Sequence, residues 1–305
     1  GGILAVTFTN KAAGEMRERV AALAGPRAKE ITVGTFHAFC ARVLREHGQA
    51  VGLPRKFTIC DASDQLSAVK SAMRELRVHE TAMHPSAVLA RMSLAKNRME
   101  TAEGFLDAGT GGRDQLVGSV WQRYREFLAR TRSLDFDDLL LETVRLLRDH
   151  GAVREHYRNR YRYVLVDEYQ DTNHPQYEIV KQIGGEHRNV CVVGDDDQSI
   201  YGWRGAHPEN LRQLAQDFPA LKVIKLEQNY RSAGNILAAA NALIANNPHL
   251  YAKRLWSDRG RGERLAVLIA ADEDGEAIDV ADRILAHRLR ERGRWSDYAI
   301  LYRGN

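Results

Sequence analysis

Val164-Leu165-Val166-Asp167-Glu168-Tyr169-Gln170-Asp171 is the stretch that decides the fold. With Tyr163 before it, the apolar run reads as a four-residue buried strand that ends in two adjacent carboxylates. In open α/β sheets ligands bind at the carboxyl ends of the strands, so the Asp-Glu pair sits where a site is expected. Asp167 at the strand tip can hold Mg²⁺, directly or through water. Glu168 can orient and deprotonate a water for attack on a γ-phosphate. An acidic pair is also what the positive end of a helix dipole favours. These eight residues alone leave both readings open.

Outward from this strand the same rhythm repeats. Ile3-Leu4-Ala5-Val6-Thr7-Phe8, Ile31 to Phe36, Val190-Cys191-Val192-Val193 and Leu221 to Leu226 read as further strands. Helical stretches separate them, as a parallel sheet with crossover helices requires. From Lys11 to Leu23 the apolar residues Ala12, Met16, Val20 and Leu23 recur at helical spacing, and Gly25-Pro26 ends the pattern. A second helix is expected over about 38–47. Between Gly48 and Leu134 strand signals nearly vanish. Helical patterns over 62–76, 85–99 and 115–130 are broken by Gly109-Thr110-Gly111-Gly112, which predicts an all-helical insertion between two halves of an α/β domain. After Arg231 a new unit begins, with helices to Ile244 and over 273–292 and strands over 265–269 and 298–302.

Four more segments carry chemistry. Gly194-Asp195-Asp196-Asp197-Gln198-Ser199-Ile200-Tyr201-Gly202-Trp203-Arg204 again runs from a strand into polar groups. Consecutive Asp side chains point in different directions, which argues against a shared metal. Gln198 can sense a phosphate or a water. Tyr201 and Trp203, two apart, would lie on one side of an extended segment. With Arg204 they form a platform for unpaired bases, each stack being worth roughly 1–3 kcal/mol; burial of Trp203 in a core is the competing reading. In Leu226-Glu227-Gln228-Asn229-Tyr230-Arg231-Ser232, Tyr230 can stack on a base and Arg231 can pair with a phosphate. Thr7-Phe8-Thr9-Asn10-Lys11 and Thr35-Phe36-His37 place hydroxyls, an amide and aromatics at strand ends, which suits sugar-phosphate contact.

Composition sets the outer bounds. The 305 residues exceed what one hydrophobic core usually holds, and 44% hydrophobic with 28% charged residues excludes wholesale disorder. No apolar stretch approaches the roughly 18 residues of a membrane span, and no signal peptide is expected. Cys40, Cys60 and Cys191 are too scattered for a disulfide framework or zinc spacing and suit a reducing compartment. The net charge of +4 is too small to identify a nucleic-acid partner. It is concentrated between Phe39 and Phe136, with fifteen Lys/Arg against eleven Asp/Glu. A solvated helical surface and a phosphate-facing one explain that equally well.

Taken in order, these segments resemble the motifs of the superfamily 1 DNA helicases of the UvrD/Rep/PcrA family, nearest the Rep branch. They are Val6 to Ala13, Thr35-Phe-His37, Phe136-Asp-Asp138, Val166 to Thr172, Gly194 to Arg204, Leu226 to Ser232 and Ile300-Leu-Tyr-Arg303. The resemblance implies a RecA-like parallel sheet of P-loop NTPase type. Residues 1–47 and 135–228 would form domain 1A, 48–134 the helical 1B-like insertion, and 229–305 the start of a second RecA-like domain, 2A. It implies ATP and Mg²⁺ as cofactors and single-stranded DNA with its duplex junctions as partner. Movement would run 3′ to 5′, in replication restart or repair beside other proteins of those processes, in a bacterial cytoplasm at the nucleoid and without a membrane partner. Asp167 would hold the metal and Glu168 would be the general base. Gln198 would read the γ-phosphate, Tyr230 would stack on adenine, and Arg231 would stabilise transition-state charge. Phe8, Thr35, His37, Tyr201, Trp203 and Arg204 would line the strand's track.

One departure qualifies this. No Gly-x-x-x-x-Gly-Lys-[Ser/Thr] occurs in the sequence, and that loop supplies the amides and lysine that cradle phosphates. The resemblance would place it upstream of Gly1 and the last motifs beyond Asn305. An internal fragment of a longer helicase, with negligible ATPase on its own, is therefore expected. Two alternatives remain: the helicase module of a RecB-like or AddA-like helicase–nuclease, and a non-catalytic single-strand-binding module.

Overall fold

The computed structural model describes residues 2–79, 81–109, 111–202, 205–207 and 209–302. The chain divides into two compact units. The first runs to Ile224 and takes in Asn247–Ala252; the second holds Lys225–Asn246 and the chain from Lys253 onward.

The first unit opens with β1 (Ile3–Thr7), α1 (Asn10–Ala24), β2 (Thr32–Thr35) and α2 (Phe36–His47). The helical stretch follows, bracketed by the two-residue strands β3 (Thr58–Ile59) and β4 (Ser133–Leu134). Between these lie α3 (Ala62–Glu75), α4 (Pro85–Asn97), α5 (Ala102–Ala108) and α6 (Gly112–Thr131). Then come α7 (Phe136–Asp149), α8 (Gly151–Arg160), β5 (Tyr163–Val166), α9 (His174–Gly184), β6 (Val190–Val192) and α10 (Glu209–Asp217). The second unit contributes α11 (Gly234–Ile244) and α12 (Glu273–Glu291).

Local chemistry sets the boundaries. Thr9, two residues past β1, and Thr35, the last residue of β2, use their hydroxyl oxygens to cap α1 and α2. Gly25 ends α1 in a backbone conformation with φ of 55°, which a side chain disfavours. Reciprocal capping boxes start α3 (Asp61 with Asp64), α7 (Asp135 with Asp138) and α9 (Asn173 with Gln176).

The main sheet is parallel in the order β2-β1-β5-β6. The chain leaves β1 first to one side and later to the other, so the β1–β5 boundary is a topological switch point. Register then aligns the strand ends. Val6 lies beside both Gly34 and Val166, and Val166 beside Val192. Phe8, Phe36, Asp167 and Val193 must all leave the sheet at its carboxyl edge.

Two hydrophobic cores lie in the first unit. One packs Leu4, Val6, Val164 and Val166 of the sheet against Phe39, Leu139, Leu147 and Ile183. The other lies wholly within the helical stretch, around Val69, Met73, Met92, Val120, Trp121 and Tyr124. Fully burying each such side chain contributes about 1.5–3 kcal/mol, enough for the helical stretch to hold a core of its own.

Three strands expected from the sequence are absent. Among the described residues, 221–226, 265–269 and 298–302 form no ladder; the second unit's β-pairing is the bridge between Gln228 and Trp256. Apolar runs become strands only when a neighbour satisfies their backbone groups and another layer covers them. Here Val267 is 87% exposed and Ile269 92%. No helix of the described residues is long and apolar enough to cross a membrane.

Candidate functional site

The carboxyl edge of the main sheet holds Asp167 and Glu168 after β5 and Phe8 after β1, with the Gly194–Gln198 segment following β6. Asp167 is half-buried directly at the tip of β5, its N–H donating to Val6 O at 2.9 Å. Glu168 is exposed and sits in the left-handed backbone region, with φ of 52° and ψ of 44°. A glutamate there is uncommon and costs of order 1–3 kcal/mol, a strain that recurs at functional sites. A short 3-10 turn, Tyr169–Asp171, follows at once. It is pinned to the next strand's exit by Tyr169 N–H donating to Val193 O at 2.9 Å. Asp171 lies in this turn; burial, reinforced by the charge of Glu168, raises its pKa.

Gln170 lies in the same turn. It is 1% exposed and ties the segments together. Its amide nitrogen donates to Glu168 Oε2 at 2.7 Å, and its Oε1 accepts the N–H of Asp195 at 3.0 Å. Gln198 is exposed and donates to Asp195 Oδ2 at 2.6 Å. The 3-10 turn Asp196–Gln198 brings Asp196 and Asp197 together with His249, their nearest ligand atoms lying within 4.8 Å of one another. His249 Nδ1 lies 2.9 Å from Asp197 Oδ1, and Leu250 N–H donates to Asp196 Oδ2 at 2.9 Å.

On the nucleic-acid side, Phe8 and Tyr201 come together as stacked rings, with centroids 5.6 Å apart and planes 25° from parallel. Trp203 and Arg204 lie outside the described residues. Thr35 is buried, its hydroxyl oxygen accepting the N–H of Ala38 at 3.2 Å. Burial depresses the pKa of His37, so its ring is neutral near pH 7 and offers a hydrogen bond rather than a charge. It packs edge-on against Phe136, 5.6 Å between centroids.

In the second unit Tyr230 is 74% exposed, an open aromatic face. Asn229 Oδ1 accepts the N–H groups of Arg231 and Ser232, and Arg259 donates to the carbonyls of Tyr230 and Arg231. The turn is thereby fixed while the Arg231 side chain stays exposed.

Sequence reasoning missed one cluster. Lys96 of α4, 3% exposed, donates to Asp135 at 2.6 Å and Asp138 at 2.7 Å. The Tyr124 hydroxyl also donates to Asp135, and the Ser93 hydroxyl donates to Asp137. Burial disfavours charge on Lys96, but the three carboxylates outweigh it and raise its pKa. Next to it, Asn97 accepts from the Asn173 amide. A Cβ on Gly205, whose φ is 85°, would come within 2.7 Å of Asn97. Helix α4 thus touches the start of α7, the cap of α9 and Gly205. The capping spacing of Asp135 and Asp138 was visible in the sequence; a lysine 39 residues away carried no signal.

The chain as a whole matches known sequences. The profile of the UvrD/REP helicase N-terminal domain matches residues 1–219, and that of the UvrD-like helicase C-terminal domain matches 224–305. The chain is 46% identical over 304 residues to the ATP-dependent DNA helicase Rep of Escherichia coli (strain K12), covering 99% of this chain and 45% of that protein. It is 44% identical over 305 residues to the ATP-dependent DNA helicase PcrA of Bacillus subtilis (strain 168), covering 99% of this chain and 41% of that one. The chain therefore spans about half the length of these curated relatives.

Proposed function

This chain belongs to the UvrD/Rep helicase family, and from that premise we propose that the whole protein is an ATP-dependent DNA helicase that moves 3′ to 5′ on single-stranded DNA. The observation that carries the reading is the shared carboxyl edge. There the register sets the ends of β1 and β5 side by side, so that Phe8 follows one and Asp167 and Glu168 the other, while Tyr201, beyond β6, stacks on Phe8.

The residues fit a nucleotide with its metal. Asp167 offers a hard oxygen ligand of the kind Mg²⁺ prefers. Two buried oxygens at the same edge, Thr7 Oγ1 and Asp171 Oδ1, have no hydrogen-bond partner in the structure. When bound, the metal would neutralise charge on the β- and γ-phosphates. Glu168 would take the proton of the attacking water, and Gln198 would sense the γ-phosphate. Tyr230 would stack on adenine, and Arg231 would stabilise charge at the transferring phosphoryl group. Phe8, Tyr201 and Trp203 would stack on bases, with Arg204 beside them. Thr35 and the neutral His37 would face the backbone. The domain assignment follows the same reading: 1–47 and 135–228 as 1A, 48–134 as a 1B-like insertion with its own core, 229–305 as the start of 2A. Single strands and their duplex junctions in replication restart or repair are the proposed substrates, in the bacterial cytoplasm.

The test is Glu168→Gln in the full-length protein. Loss of a general base should lower DNA-stimulated ATP hydrolysis by about 10²–10⁴-fold. Affinities for ATP and for an oligothymidine strand should stay within a few-fold of wild type. Hydrolysis at the wild-type rate would remove Glu168 from the chemistry and the proposal with it.

A further inference from the structure

We propose that Gln170 is a positioning residue that couples the carboxylate of Glu168 to the Gly194–Gln198 segment. The inference rests on the reading of Glu168 as the general base. Its geometry stands apart from that reading.

The amide orientation of Gln170 is fixed by chemistry. The backbone N–H of Asp195 can only donate, so the atom facing it at 3.0 Å must be Oε1. That leaves Nε2 to face Glu168 Oε2 at 2.7 Å, where it meets an acceptor. Reversing the amide would turn both contacts into clashes of like groups. One side chain is thus committed at both ends. Its main chain is held as well, since the Ser199 hydroxyl donates to Gln170 O at 3.3 Å.

The fit is close on both sides. A Cβ added at Gly194 would meet Gln170 Oε1 at 2.9 Å and Gln170 N at 3.3 Å. Glycine is what lets that backbone approach. Glu168, in its left-handed conformation, has its backbone direction set by the turn that also carries Gln170, since Asp171 N–H donates to Glu168 O at 3.0 Å. The remaining freedom of Glu168 is rotation of its exposed side chain, and the Gln170 amide restrains it. The other end of the chain of contacts is Gln198, bonded to Asp195 Oδ2 at 2.6 Å. Tyr201, stacked on Phe8, lies three residues further on. A shift of the 194–198 backbone must therefore either drag the Gln170 amide or break its bond to Asp195. In both cases the restraint on Glu168 changes. This gives the segment that would meet DNA a direct mechanical hold on the group that would activate water.

Two variants in the full-length protein test this. Gln170→Met keeps the volume and removes both hydrogen bonds. Gln170→Glu keeps the acceptor for Asp195 N–H and removes the donor to Glu168. Both should lower kcat for hydrolysis in the presence of an oligothymidine strand at least tenfold, with KM for ATP unchanged within twofold. The ratio of DNA-stimulated to DNA-free hydrolysis should fall as well, because the link from the Gly194–Gln198 segment to Glu168 is cut. A merely structural role would instead lower thermal stability and raise KM while leaving that ratio intact, and this result overturns the proposal. Wild-type kcat and stimulation in both variants also overturn it. Glu168→Gln is measured alongside. If it abolishes hydrolysis while the Gln170 variants behave as wild type, only the coupling role falls. If Glu168→Gln itself hydrolyses normally, the reading of the site falls.

Discussion

Asp137 is the residue whose energetics separate most clearly from its appearance in sequence. It stands in the first turn of α7, where the helix dipole favours a negative charge. Burial and then the charge of Asp135 nevertheless push its pKa up to about 6, against the opposing pull of Lys96 and the Ser93 hydroxyl. Asp138, half-buried, is pushed up to about 6 by desolvation and then, against the pull of Lys96, by the charge of Asp135. Asp135 goes the other way: burial opposes its ionisation, but Lys96 prevails and holds it below the ordinary range. The signs follow from linkage. A carboxyl whose folded pKa exceeds its unfolded one binds more protons when folded, so its contribution declines as pH rises from about 4 to about 6. Asp135 contributes above the ordinary carboxylate pKa and loses that contribution as pH falls below it. Asp137→Asn should therefore flatten the decline between pH 4 and 6 and leave the acid limb below pH 4 in place. The gain at pH 7 should be on the order of 1–3 kcal/mol. Urea unfolding midpoints across pH 3.5–7.5 measure it; an unchanged slope between pH 4 and 6 would refute the assignment.

Helix α7 shows what an element owes to its first residue. Asp135 Oδ1 accepts the N–H of Asp138 at 2.8 Å, while Oδ2 accepts from Lys96 at 2.6 Å and Tyr124 at 2.9 Å. One carboxylate caps the helix and anchors α4 and α6 to it. Asp135→Asn retains a capping oxygen but loses the charge, and should cost about 1–3 kcal/mol. Asp135→Ala loses both and leaves Lys96 with a single close carboxylate, and should cost about 3–5 kcal/mol. Equal losses in urea unfolding would mean that the cap contributes nothing. At this scale the sequence was legible wherever the cause is local. The glycine at the end of α1 and the apolar runs of β1, β5 and β6 report on neighbours in the chain. Residues 265–269 carry an equally good strand pattern and form none, because a ladder depends on a distant partner. Gln170 was invisible for the same reason: its partners lie on two segments that only the sheet register brings together.

At the scale of the whole molecule the two units differ in how much they bury. The first has two cores, and its helical stretch satisfies much of its own charge. Arg91 pairs with Asp114, Arg98 with Glu100, Arg123 with Glu126 and Arg125 with Glu103. Each pair takes one charge of each sign, so the excess of four basic residues between Phe39 and Phe136 is untouched by them. In the second unit α12 has no buried residue and α11 buries Leu237. Ile278, Leu285 and Leu289 of α12 are 61%, 41% and 70% exposed. Isolated helices owe most of their persistence to packing of an apolar face, so α12 has little to hold it beyond its Asp272 cap, local ion pairs such as Arg290–Glu291 and the stacking of Arg288 on Trp295. Local opening free energy should therefore drop sharply between the units. In hydrogen exchange of the 305-residue chain at pH 7, amides of α12 should exchange at least ~100-fold faster than those of α7 and α9, a gap of about 2.7 kcal/mol. Comparable protection in α12 and α7 would mean that the apolar face of α12 is covered in solution, and the low stability assigned to the second unit would be wrong.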